Sequence, residues 1–103
     1  MQTESYELKG QTFNWDREKN ISNIEKHGIS FKSAAMTFFD PNAATFDDET
    51  HSKDEERFLL IGFSERHRLL TVCHCYREDD TIIRIISARK ATKQEEKRYG
   101  GLA

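Results

Sequence analysis

Apolar residues recur along the chain with two different periods. Ile21 and Ile24 stand one turn apart in the polar run REKNISNIEKH. Asp16 before this run has the short acceptor side chain that caps a helix start, and Gly28 suits the left-handed position after its end, which predicts a first helix between them. From Ser30 onward, Phe31, Ala34, Ala35 and Phe38 follow the i, i+3, i+4, i+7 spacing of one helical face, and Asp40-Pro41 stops a second helix there. Further on the signal is that of strands. Arg57 to Phe63, Leu69 to Arg77 and Thr81 to Ala88 are rich in β-branched, aliphatic and aromatic side chains, and the short connections SERH and REDD predict antiparallel neighbours. FNWD reads as a short strand running into Asp16, Ala43 to Phe46 as another, and the acidic segment from Glu49 to Asp54 as a loop. Thr92 and Glu95 form a T-x-x-E capping box that starts a short terminal helix, with Tyr99 and Leu102 as its large apolar anchors. The order β-α-α-β-β-β-β-α predicts an α+β fold: an antiparallel β-sheet with two N-terminal helices and one short C-terminal helix, the helices gathered on one face.

Length changes this picture little: 103 residues fit one compact core. Residues 1–12 read as a flexible polar tail and residues 13–103 as the domain. No apolar run approaches the roughly 20 residues that span a bilayer, and no signal sequence opens the chain, so the expected compartment is cytoplasmic, with no membrane partner. Cys73 and Cys75 alternate along one strand face about 6.6 Å apart, near the upper limit for a disulfide, which fits a reducing environment. His74 points away from both, and no second pair has zinc spacing, so neither a metal nor a cofactor is expected. Phosphate-binding glycine loops and nucleophile elbows are absent from the sequence.

Charge alters the picture more. The formal net charge is -2 and the pI about 6.1, which argues against a polyanion partner. Its distribution argues the other way. Asp47 to Glu56 holds six acids against one lysine, whereas Arg84 to Tyr99 holds six Lys or Arg against two Glu. Within the basic third, IIRIISARKA sets Arg84 between pairs of isoleucines. An unpaired guanidinium buried there would cost several kcal/mol, so Arg84 requires a carboxylate, with Glu55 and Glu56 the nearest in kind, or a cleft that an anion can enter.

Five segments, FNWDREKNISNIEKHGISF, FFD, DEERFLLIGFS, LLTVCHCYRE and RIISARKATKQEEKRYG, resemble in order and spacing the BrnT family of bacterial type II toxins, over roughly residues 13 to 100. The resemblance implies a RelE-like fold and a ribonuclease that arrests translation. It further implies a cognate DNA-binding antitoxin of BrnA type, of ribbon-helix-helix character, through which alone operator DNA would be engaged. Metal-independent RNA cleavage needs a base for the 2′-OH proton, an acid for the departing 5′ oxygen, and cations for the phosphate. Arginine suits the last role because its planar fork donates two parallel hydrogen bonds.

The candidate catalytic residues are therefore Arg84, Arg89, His74 and Glu56, the last matching the family's E-R-F pattern. His74 shares a face with Leu70, Val72 and Tyr76, so a buried core histidine is the competing reading. Strict alternation places Arg84 with Ile82, Ile86 and Ala88, and Arg89 on the opposite side. A bulge or the strand end must turn Arg89 back, unless it serves the rim or the antitoxin interface; the strand end is preferred. Lys26, Arg77, Lys90, Lys93 and Lys97 are candidate RNA contacts, with plain solvated charge as the alternative for each.

Overall fold

The computed structural model describes residues 2–50 and 55–101. Leu102 and part of the acidic loop, including His51 and Asp54, lie outside the described residues. Six strands form one sheet in the order β1-β2-β6-β5-β4-β3: β1 (Thr3–Leu8), β2 (Gln11–Asp16), β3 (Ala44–Asp47), β4 (Phe58–Phe63), β5 (Leu69–Arg77) and β6 (Ile82–Lys90). Neighbours are antiparallel except β2 and β6, which run parallel through Thr12–Asn14 and Ile82–Arg84. The sheet is thus mixed rather than antiparallel throughout. The reason is topological: β2 leads into both helices before the chain returns, so it enters beside β6 in the same direction.

The expectation of a flexible tail over residues 1–12 gives way. Thr3–Leu8 pairs in full register with Gln11–Asp16. Polar residues alternate along β1, and Tyr6 and Leu8 pack against the core, while the Trp15 indole donates to Glu4 at 2.8 Å.

Helix α1 (Arg17–His27) is capped as expected by the Asp16 carboxylate, which accepts from the Glu18 N–H at 3.0 Å, and ends on Gly28 at φ 68°. Helix α2 (Phe31–Met36) starts at Ser30 and tightens into a 3-10 turn, Thr37–Phe39. Both pack on the face bearing Phe13, Trp15, Val72, Ile83, Ile85 and Ala88, which holds the main core. The helical spacing of α1 does not bury its isoleucines, however: Ile21 and Ile24 are 46% and 43% exposed, and the buried residue is Asn23.

Helix α3 (Lys93–Arg98) has the full capping box of Thr92 and Glu95. It lies across the opposite face of the sheet, against the expectation that all helices share one face. Two features hold it there. Glu95 bonds to β5 and β6, and the Tyr99 hydroxyl donates to Asp40 at 2.6 Å while its ring meets Phe63 edge-on at 5.1 Å. No helix among the described residues is long and apolar enough to cross a membrane.

An arginine-lined cleft on the open sheet face

The ladder between β5 and β6 carries the decisive irregularity. Cys73 pairs with Ser87 and His74 with Ile85, so Ile86 is an extra residue, a β-bulge. It inverts the alternation after Ile85. Arg84 stands opposite Cys75, and Arg89 opposite Thr71, on the same face of the sheet as Cys73 and Ser87. The bulge, and not the strand end, thus brings both arginines to one side.

Past the bulge no strand among the described residues lies on the outer side of β6, and Asn23 from α1 takes that place. Its amide nitrogen donates to the Ala88 carbonyl at 2.8 Å and its oxygen accepts from the Ala88 N–H at 3.1 Å, as a neighbouring strand would. The same nitrogen donates to the Ile29 carbonyl at 2.9 Å.

Arg89 is held by a two-pronged ion pair with Glu95, at 2.8 and 2.9 Å, and Glu95 also accepts from the Thr71 hydroxyl at 2.8 Å and the Thr92 N–H at 2.9 Å. The Arg89 guanidinium, helped by the other donors against a desolvation cost, takes the Glu95 carboxyl down to about 2. Arg89 remains protonated and 41% exposed, its unused N–H groups available to the face.

Arg84 is half-buried and donates to the Asn14 amide oxygen on β2 at 3.2 Å. It stands five positions before Arg89, so their Cα atoms lie on the order of 15 Å apart. The two arginines therefore address different points along a bound anion.

A cleft of about 480 Å³ opens on this face, lined by Arg57, Arg89, Arg98, Asp48, Cys73 and Ser87 among others. Arg98 stacks on the Phe46 ring at 4.1 Å. Arg57 pairs loosely with Glu55 at 3.8 Å, and its shielded Nε meets no hydrogen-bond acceptor among the described residues. The Asp48 carboxylate accepts from Thr50 at 2.8 Å and from the Cys73 thiol at 3.6 Å. Burial pushes the Cys73 thiol up to about 12 and raises that of Cys75, so both stay as inert thiols.

Two expected catalytic residues lie elsewhere. His74 is fully buried on the helix side, its ring 4.7 Å from Phe38 and 5.6 Å from Tyr76, with Nδ1 3.2 Å from the Val72 carbonyl oxygen. Burial takes its pKa down to about 4, against the backbone contact. Regular alternation in β5 placed it in the core, so the competing reading holds.

Glu56 is exposed beside Tyr76, Phe58 and Asp80, at a separate hollow. Its neighbour Glu55 meets the arginines instead, pairing with Arg77, whose guanidinium lowers the Glu55 pKa. Arg77 is thereby engaged within the protein, with the Cys75 sulfur a further partner at 3.0 Å. Lys26 lies beside Ser87 at the bulge edge, and Lys90 lines a different hollow. Lys93 and Lys97 are exposed on α3, outside the lining of the arginine cleft. Asn23, Arg57 and Asp48 were not legible as site residues: Asn23 bonds to Ala88 and Asp48 to Cys73, each more than 20 positions away, and Arg57 reaches the cleft only through the sheet that brings β4 beside β5 and β6. Among the described residues no group of three or more His, Cys, Asp or Glu is arranged to hold a metal.

The buried histidine has a measurable consequence. Its pKa falls from 6.5 unfolded to about 4 folded, so between these values the unfolded chain binds more protons and stability rises with pH. On acidification from pH 6.5 to 4 the fold should lose about 3 kcal/mol through this group. Urea melts at stepped pH check it: His74→Leu should flatten the curve in that window. An unchanged slope would show that His74 does not titrate as a buried neutral ring.

A mixed sheet whose open face bears a cleft of three arginines, Arg57, Arg89 and Arg98, facing Asp47, Asp48 and Glu49 has the mixed charge of a site for acid–base chemistry on an anion. Its sequence matches, over residues 15–95, the family described as the ribonuclease toxin, BrnT, of type II toxin-antitoxin systems. The crystal structure of the Brucella abortus ribonuclease toxin BrnT is similar, with 25% identity and a TM-score of 0.58, over 77% of this chain and 94% of that one. No curated protein matches the chain. The chain belongs to the BrnT family: it is a ribonuclease toxin, with RNA as substrate and an antitoxin as partner.

Proposed function

We propose that RNA is cleaved without a metal in the cleft between Arg57 and Arg89. The carrying observation is the bulge at Ile86, which sets Arg89 on the open face beside Ser87 and Arg57. A bound RNA phosphate accepts from the outer edge of Arg89, held in place by Glu95, and from the Arg57 guanidinium that lines the same cleft. Arg84 contacts an adjoining phosphate.

Asp48 takes the 2′-OH proton. Close to arginines a carboxylate is a poor base, but an arriving phosphate offsets their charge and raises its proton affinity. The 2′ oxygen then attacks phosphorus and forms the P–O2′ bond as the P–O5′ bond breaks; the departing 5′ oxygen takes its proton from solvent water, and a 2′,3′-cyclic phosphate remains. Cleavage of this kind arrests translation by destroying message. The family relationship supports a partner of BrnA type, a ribbon-helix-helix protein that engages operator DNA, and the two helices preceding a central antiparallel set of strands support a RelE-like assignment.

Incubating the protein with single-stranded RNA in EDTA tests the reading. Cyclic phosphate ends should appear, and Asp48→Asn should lower kcat about 10²-fold. Cleavage only on metal addition, or full activity of the variant, would remove the base assigned here.

A further inference from the structure

The arginine cleft is the first of three adjoining hollows. The second, about 240 Å³, lies along the outer edge of β6 and shares Ile86 and Ser87 with the cleft; Lys19, Lys26 and His27 of α1 line it. The third, about 550 Å³, shares His27 with the second and is lined by Phe63, His67, Arg68 and Lys90 around an apolar floor. Consecutive hollows thus share residues and form one path; in the first, Asp47, Asp48 and Glu49 face three arginines, the second carries Lys19 and Lys26 with no acid, and the third sets Arg68 and Lys90 against Glu96.

Both ends hold a guanidinium whose inner nitrogen is buried without a hydrogen bond. The shielded Nε atoms of Arg57, in the cleft, and Arg68, in the third hollow, have no hydrogen-bond acceptor among the described residues. Arg68 is fixed by donating from Nη1 to the Gly28 carbonyl at 3.2 Å, which holds its guanidinium in place at the hollow. Phe63 is 39% exposed there, its ring meeting Tyr99 edge-on at 5.1 Å and leaving apolar surface at the hollow.

We infer that this path is an extended binding track for single-stranded RNA, passing from the cleft over the bulge edge to a base-stacking subsite at Phe63. Lys19 and Lys26 contact phosphates flanking the scissile one, Arg68 and Lys90 a further phosphate, and a base stacks on Phe63. A flexible single strand suits it because the path turns around a sheet edge that a rigid duplex could not follow, and because unstacked bases can meet an aromatic ring. The bulge consequently has two roles: it faces Arg89 to the cleft, and its residues Ile86 and Ser87 form the saddle between two hollows. The inference rests on the RNA-cleaving reading for its direction, not for its existence.

The test is binding of a 2′-O-methyl 12-mer, which cannot be cut, followed by fluorescence anisotropy across a salt series. The double variant Lys19→Ala/Lys26→Ala should raise Kd about tenfold and reduce the salt slope by about 1.4, at roughly 0.7 per lost phosphate contact. Phe63→Ala should weaken binding several-fold with the slope unchanged. Lys9→Ala/Lys32→Ala removes the same charge beside Phe39 and Tyr6, off the path, and should do neither. The track is overturned if the α1 double variant binds like wild type, if the off-path variant weakens binding as much, or if wild type fails to bind the 12-mer in low salt. Because no cleavage is involved, loss of the track with RNA still cut at the arginine cleft separates the two readings; binding without cleavage would overturn the catalytic one alone.

Discussion

Arg89→Ala is expected to lower kcat for RNA cleavage by about 10²–10³-fold, the usual cost of removing one preorganised donor to a developing charge. Stability should fall much less. The Arg89–Glu95 pair is partly solvated, and Glu95 keeps the Thr71 and Thr92 hydrogen bonds when the arginine is gone, so about 1 kcal/mol is the expected loss. Arg89→Lys should recover little, since a lysine keeps the charge but cannot pair two-pronged with Glu95 while offering a second edge to phosphate. Arg84→Ala should cost less than Arg89→Ala and act mainly on KM, as befits a contact to an adjoining phosphate. Circular dichroism and a melting curve beside single-turnover cleavage read both quantities. If Arg89→Ala cuts RNA at the wild-type rate, the cleft is not the catalytic site; if it fails to fold, the arginine is a structural ion pair first.

The second large effect should come from a residue that touches no substrate. Asn23→Leu keeps the side chain's approximate size but strips partners from the Ala88 N–H, the Ala88 carbonyl and the Ile29 carbonyl, in a place where Asn23 is only 6% exposed. At about 1–3 kcal/mol for each buried backbone group left unpaired, with partial relaxation, the loss should be about 4 kcal/mol in urea unfolding. A loss under about 1 kcal/mol would mean that water or a shifted strand takes over the role. Variants that still fold should also lose cleavage, because β6 just after the bulge carries Ser87 and Arg89.

How far the sequence disclosed this molecule depends on the range of the interaction. The caps at Asp16, Ser30 and Thr92 and the glycine stop at Gly28 were legible because donor and acceptor lie within four positions of one another. His74, named as a catalytic candidate, had its core position as the competing reading for a related reason: β5 is regular, and alternation with Leu70 and Val72 places it on the helix side. Glu95 was half legible. Its capping role is local, while its grip on Thr71 and Arg89 depends on α3 crossing the open face.

The arginines mark the limit. Alternation predicts opposite faces for Arg84 and Arg89, and a bulge at one isoleucine in a run of similar residues leaves no compositional mark. Ile21 and Ile24 misled in the same way, since their helical spacing is that of a buried face, yet α1 turns inward the side that bears Asn23. Which side a helix buries is set by what the neighbouring strand lacks, and the unpaired edge of β6 at Ala88 lacks hydrogen bonds more than it lacks apolar surface. Between Glu55 and Glu56 the outcome turned on the facing of a single residue at the start of β4, which placed Glu55 with Arg77 and Arg57.

By itself, then, the sequence determined the helices' ends, the three central strands, the segregation of charge and the family to which the chain belongs, all of them carried by neighbours along the chain or by motif order. Only the tertiary structure decided which side each arginine occupies, that α3 clamps Arg89 through Glu95, and that β1 joins the sheet. These depend on ladder register and on contacts spanning distant positions, and a one-residue shift in register exchanges the two faces of a strand without altering its composition.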